Sequence, residues 1–148
     1  MKKVILLFLI IIVFLPHNVP SQLSEDEIAD IIIEKKKLPY DLVTVTTYTI
    51  SEGQTDSTPL ITASGYKLDS INPKKQKVIA ISRDLKRKYK FGQKVRVKGA
   101  GKLDGVYTVR DLMAKRWTRK IDILINPEDA GDKFRRVKLY NIKADLDN

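Results

Sequence analysis

VTVTTYTI, residues 43–50, alternates branched side chains with hydroxyl-bearing and aromatic ones and holds neither Gly nor Pro. Side chains of that kind suit a pleated, half-buried surface, so the stretch reads as a β-strand. The signature recurs downstream. KVIAIS (77–82), QKVRVKG (93–99), GVYTVRD (105–111), KIDILI (120–125) and RRVKLYNI (135–142) read as strands, and LITASG (60–65) as a short one ending at Gly65. SEGQTDSTP (51–59) is a loop by composition. RDLKRKY (83–89) is too short for more than a helical turn, and PEDAGDKF (127–134) reads as one or two helical turns opened by Pro127. About six short strands with hardly any helix between them, in about 100 residues, imply an all-β fold closed into a small barrel.

Upstream the pattern changes. Ser24 with Glu27 forms a capping box, Ile28, Ile31 and Ile32 make a helical stripe, and Lys35, Lys36 and Lys37 suit a C-terminal turn. Pro39 ends it. The reading is a helix over 25–36, either a spacer from the membrane or a strap on the domain. Before it, Lys2 and Lys3 precede twelve apolar residues, VILLFLIIIVFL (4–15), which is shorter than the roughly 20 residues of a spanning helix. This reads as a secretory signal cleaved after Ser21, or as an uncleaved anchor. The expected organisation is a signal (1–21), a helix and linker (22–42), a barrel (43–142) and a tail (143–148). The expected location is outside the cytoplasm, in the periplasm or cell envelope, with transient membrane association through the N-terminal segment.

Composition narrows the chemistry. The chain has 148 residues, 28 Lys+Arg against 18 Asp+Glu and a net charge of +10. That length suits one domain with its own core. Cys is absent, and the single histidine, His17, falls within the expected signal. Ser-His-Asp and Cys-His catalysis and ordinary zinc sites are excluded from the remainder. Acid–base chemistry there must rest on Asp, Glu, Tyr or Lys. An exported basic chain meets envelope polyanions, peptidoglycan among them, rather than nucleic acid. The lysines of NPKKQK (72–77) and LKRKYK (85–90) read as solvated loop charges, and aromatic residues are too scarce for a stacking platform.

Three acids stand out. Asp84 follows KVIAIS, Asp111 ends GVYTVRD, and Asp122 lies inside KIDILI between Ile121 and Ile123. A carboxylate amid apolar strand residues is expensive unless it faces a cleft or is paired, and burial would raise its pKa toward that of a working general acid. The plainer alternatives are an outward Asp122 paired with Lys120 or Arg119, an Asp111 that merely ends a strand, and an Asp84 that caps the next turn. A hard cation among three carboxylates is the weaker option, and no cofactor is expected.

Taken in order, ITASG (61–65), IAISRD (79–84), FGQKVRVKG (91–99), GVYTVRD and KIDILI resemble the three-aspartate, or 3D, domain of membrane-bound lytic transglycosylase A and of stationary-phase-survival type muralytic proteins. The eleven-residue step from Asp111 to Asp122 is that of the family's last two aspartates. The resemblance implies a six-stranded double-psi β-barrel that cleaves the β-1,4 bond between N-acetylmuramic acid and N-acetylglucosamine in peptidoglycan. It implies Asp122 as the single acid/base supported by Asp84 and Asp111, and hydroxyls of Thr47, Tyr48, Thr62 and Ser64 lining the groove. Where the family has D-x-G-G, this chain has DLMAKRW (111–117), so Lys115, Arg116 and Trp117 are expected to contact the glycan or its carboxylates. The alternatives are a non-catalytic glycan-binding barrel of expansin type, which the lost glycines favour, and a basic envelope adaptor that needs none of the three aspartates.

Overall fold

The computed structural model describes residues 22–51 and 60–142. The expected signal (1–21), most of the loop SEGQTDSTP and the tail (143–148) lie outside the described residues.

Six strands close into a barrel: β1 (Tyr40–Tyr48), β2 (Val78–Ile81), β3 (Lys94–Lys98), β4 (Gly105–Leu112), β5 (Lys120–Leu124) and β6 (Lys133–Asn141). Their ring order is β1-β5-β2-β4-β3-β6. β1 runs parallel to β5 and β2 parallel to β4, while the remaining neighbours are antiparallel. Exchanging β1, β2 and β3 for β4, β5 and β6 in turn leaves the ring and every strand sense unchanged. The two halves of the barrel are therefore related by a pseudo-twofold in their strand pairing.

Period-2 alternation fills the interior. Val43, Val45, Ile79, Ile81, Val95, Val97, Val109, Ile121, Ile123, Val137 and Leu139 are all essentially inaccessible. Each such side chain contributes roughly 1.5–3 kcal/mol by leaving water. The barrel has no free sheet edge, which removes the usual template for strand addition.

The helix α1 (Glu25–Lys36) carries the expected capping box. It is a strap on the domain and not a spacer. Ala29 is fully buried with Val106, Tyr140 and Ile142, and Asp26 accepts the Val106 amide at 2.7 Å. The Arg96 guanidinium of β3 donates to both Asp30 oxygens at 3.1 and 3.2 Å. That contact satisfies an arginine left only 6% exposed.

Three local expectations need correction. LITASG forms a turn with one isolated bridge, Ile61 to Lys67, and not a strand. Its Thr62 hydroxyl accepts the Tyr66 amide at 3.1 Å and Gly65 adopts φ 78°, so local side-chain bonding replaces a ladder. PEDAGDKF is not helical. Asn126 and Asp129 close a turn on each other, Thr47 takes the Asp132 amide, and Lys133 and Phe134 already belong to β6. Finally, β1 begins at Tyr40, before the stretch that opens at Val43. RDLKRKY does form a single 3-10 turn, Arg83–Arg87.

Candidate functional site

The site lies on the outer wall of the barrel. In β1, Val43 and Val45 point into the core, so Thr46 and Tyr48 point out. Strand pairing then builds one lateral row. Thr46 stands opposite Asp122 of β5, Asp122 opposite Ala80 of β2, and Ala80 opposite Asp111 of β4. Strands lie about 4.8 Å apart, so two steps separate the aspartate backbones by about 10 Å, with the small Ala80 between them.

Asp111 reaches this row only because the β2–β4 register shifts between Ile79 and Ala80. Unbroken alternation from the buried Val109 would send Asp111 inward. The bulge adds Arg110 and turns Asp111 out, a common device beside functional sites. Arg110 in turn lies over the Tyr66 ring, 4.7 Å from its centroid.

Asp122 is half-buried, and the Thr46 hydroxyl donates to its Oδ1 at 2.7 Å. Burial pushes its carboxyl above the usual range, against the hydrogen bond from Thr46 and the charge of Lys120. Burial, as expected for a carboxyl between two isoleucines, is the cause. Tyr48 is 8% exposed, and its hydroxyl has no hydrogen-bond partner among the described residues. Burial, then the charges of Asp111 and Asp122, push its phenol well up. The phenol is therefore neutral, buried and within the field of both carboxylates. A buried hydroxyl without a partner costs about 1–3 kcal/mol.

The other candidates have local duties. Asp111 Oδ1 accepts the amides of Ala63 at 2.9 Å and Leu112 at 2.8 Å, tying the ITASG turn to β4. Thr62 and Ser64 lie 3.0 Å apart, oxygen to oxygen, in that turn, with the Thr62 hydroxyl also bonded to Tyr66. Thr47 is the clearest correction. It faces away from Tyr48, because adjacent strand residues alternate, and its hydroxyl holds the Asp132 amide at 3.1 Å. Thr46 takes the place expected of it. The alternation within VTVTTYTI carried that signal, since Thr46 and Tyr48 are two residues apart.

Asp84 stands off the row, on the exposed turn after β2. Its carboxylate accepts the Arg119 amide at 3.0 Å. Burial raises its pKa, but hydrogen bonds from Ser82 and Arg119 and the Arg119 charge win, so it lies low. Arg119 has φ 48°, a left-handed turn that this bond pins just before Lys120 enters β5. Asp84 thus positions the strand that carries Asp122.

Beyond Lys120 lies the rim. Its Nζ sits 3.7 Å from the Trp117 ring centroid, and Arg116 covers the same ring at 5.1 Å. Lys115, Arg116 and Trp117 are all exposed. Met113, in the stretch where the resemblance expects glycines, is buried with Tyr48, Val78, Ala80 and Leu124. Among the described residues, no three acidic side chains gather closely enough to hold a metal ion.

Compared with known proteins, the chain matches no family model and no curated protein.

Proposed function

We propose that this chain is an exported lytic transglycosylase of the 3D type, acting on peptidoglycan through Asp122. The observation that supports this reading best is the row itself: a half-buried carboxyl with a raised pKa, oriented by Thr46, with Asp111 two strands away and the buried phenol of Tyr48 between their fields. We read the barrel as double-psi, which its pseudo-twofold ring and two parallel pairs favour.

The chemistry needs one carboxyl. Protonated Asp122 gives its proton to the departing glycosidic oxygen as the C1–O bond breaks. The resulting carboxylate takes the proton of the substrate's own C6 hydroxyl, whose oxygen closes on C1. The product ends in a 1,6-anhydro sugar and no water is consumed. Proton transfer of this kind contributes about 10²–10⁴-fold in rate. Burial keeps a proton on Asp122 further toward neutral pH than an exposed aspartate would hold it. Thr46 fixes which oxygen is free, and Tyr48 offers its unpartnered hydroxyl to a sugar oxygen. Asp111 holds the ITASG turn against the groove, and Lys115, Arg116 and Trp117 form its rim.

A second reading, a non-catalytic glycan-binding barrel, is favoured by one observation: Met113 fills space beside Ala80 where glycines would leave backbone open to a sugar. The full chain and its Asp122→Asn variant are incubated with peptidoglycan sacculi. Release of 1,6-anhydromuropeptides by the wild type alone supports catalysis. Equal inertness with sedimentation of both on sacculi supports the binding barrel. Neither release nor binding refutes both.

A further inference from the structure

Strand β6 presents four cations on the outer wall. Phe134 and Val137 both pack into the core, and the register shift between β1 and β6 leaves Arg135 and Arg136 exposed between them. Arg136 takes φ 57° to do so. Lys133 stands opposite Thr46, the residue that holds Asp122, and Lys138 stands opposite Leu42. The cationic strand is thus in register with the groove, one strand beyond Thr46.

Several surface cations elsewhere are paired with acids. Lys74 meets Asp129 at 2.9 Å, Lys88 meets Asp41 at 2.7 Å and Lys102 meets Asp132 at 2.9 Å. Lys133, Arg135 and Arg136 have no acid within ion-pair distance among the described residues. Lys98 of β3, itself paired with Asp30 at 3.3 Å, stands directly opposite Lys138. The Lys138 Nζ lies 4.9 Å from the ring centroid of Tyr40, an exposed aromatic at the end of the series. Four exposed cations on β6, beside the exposed Tyr40 ring of β1, make a surface suited to an anion.

We infer that β6 is the subsite for the carboxylates of the stem peptides attached to the glycan in the Asp122 groove. The inference rests on the proposed peptidoglycan reading and extends it from sugar to peptide. Lys133 to Lys138 span about 17 Å of strand, the extended length of about five residues, which matches a short peptide lying alongside. Arg135 and Arg136 supply forked donors suited to carboxylates.

Affinity of the full chain is measured for soluble glycan strands with their stem peptides and for the same strands stripped by an amidase. The Lys133→Gln, Arg135→Gln, Lys138→Gln triple variant is compared with a control, Lys35→Gln, Lys75→Gln, Lys90→Gln, that loses equal charge elsewhere. The wild type and the control are expected to prefer peptide-bearing strands by about tenfold, the combined effect of three exposed charge pairs. The triple variant should lose that preference and still bind stripped strands. A wild type without preference, or a triple variant that keeps it, overturns the inference and leaves the glycan reading standing. A control that loses it equally shows bulk charge, and also overturns it. Tighter β6-dependent binding of poly(glycerol phosphate) than of peptide-bearing strands reassigns the subsite to phosphodiesters and overturns it. Failure of the wild type to bind either strand defeats the glycan reading and the inference with it.

Discussion

Replacing Thr46 with valine separates the charge on Asp122 from its position in the fold. The wild-type hydroxyl donates to Asp122 Oδ1 at 2.7 Å, a hydrogen bond to a charged acceptor in a half-buried setting. Such bonds contribute about 1.5–3 kcal/mol, and a methyl group in the same place returns at most about 0.8 kcal/mol. Thr46→Val should therefore destabilise the fold by about 1–2 kcal/mol at neutral pH. The bond favours the ionised form, so its loss should push the Asp122 titration midpoint further up. Below the ordinary carboxylate range of about 4, Asp122 is protonated in both proteins and the stability difference should shrink. Urea unfolding at both pH values measures the first effect, and carboxyl-carbon NMR titration the second. A stability gap that does not change with pH, or a midpoint that stays or falls, would refute the assignment of Thr46 as the residue that holds the ionised carboxyl.

Three further outcomes follow from the same geometry. Asp122→Asn should stabilise the fold at neutral pH. A carboxyl whose folded pKa is raised contributes stability fully below its unfolded pKa and loses it as pH rises through the folded value, so the gain over wild type should vanish on acidification, as thermal melts across pH will show. Tyr48→Phe removes a buried hydroxyl without a partner and should be neutral or stabilising by up to about 1–3 kcal/mol in chemical denaturation, while weakening glycan binding measured by sedimentation with sacculi. Asp30→Asn removes the charged acceptor bonded to the buried Arg96, leaving Asp26 at 3.9 Å, and should cost about 1–3 kcal/mol, with faster amide exchange at Val106 as α1 loosens; an unchanged Val106 rate would show that the Asp30–Arg96 contact does not hold the strap.

The parts legible in the sequence were those with one dominant local cause. Alternation in QKVRVKG and GVYTVRD, and the short apolar runs of KVIAIS and KIDILI, mark the strands. Ser24, Glu27 and Pro39 bounded α1 because capping chemistry is local. Asp122 was conspicuous as a carboxylate between two isoleucines. The rest depends on distant pairing or on a side-chain bond that competes with the ladder. The outward turn of Asp111 comes from a bulge that exists only between β2 and β4. LITASG has strand-forming residues, but Thr62 bonds its own turn. PEDAGDKF begins like a helix, yet Phe134 belongs to the core face of β6 and draws Lys133 into the strand with it. That Thr46, and not Thr47, shares a face with Tyr48 follows from alternation alone.

The central claim is that the C6 hydroxyl of the substrate, and not water, takes the glycosidic bond under Asp122. Digestion of sacculi by the full chain in heavy-oxygen water, read by mass spectrometry, tests it most directly. The account predicts 1,6-anhydro ends without incorporated heavy oxygen, made by the wild type and not by Asp122→Asn. Reducing ends that carry the heavy isotope, or the same products from both proteins, would contradict it.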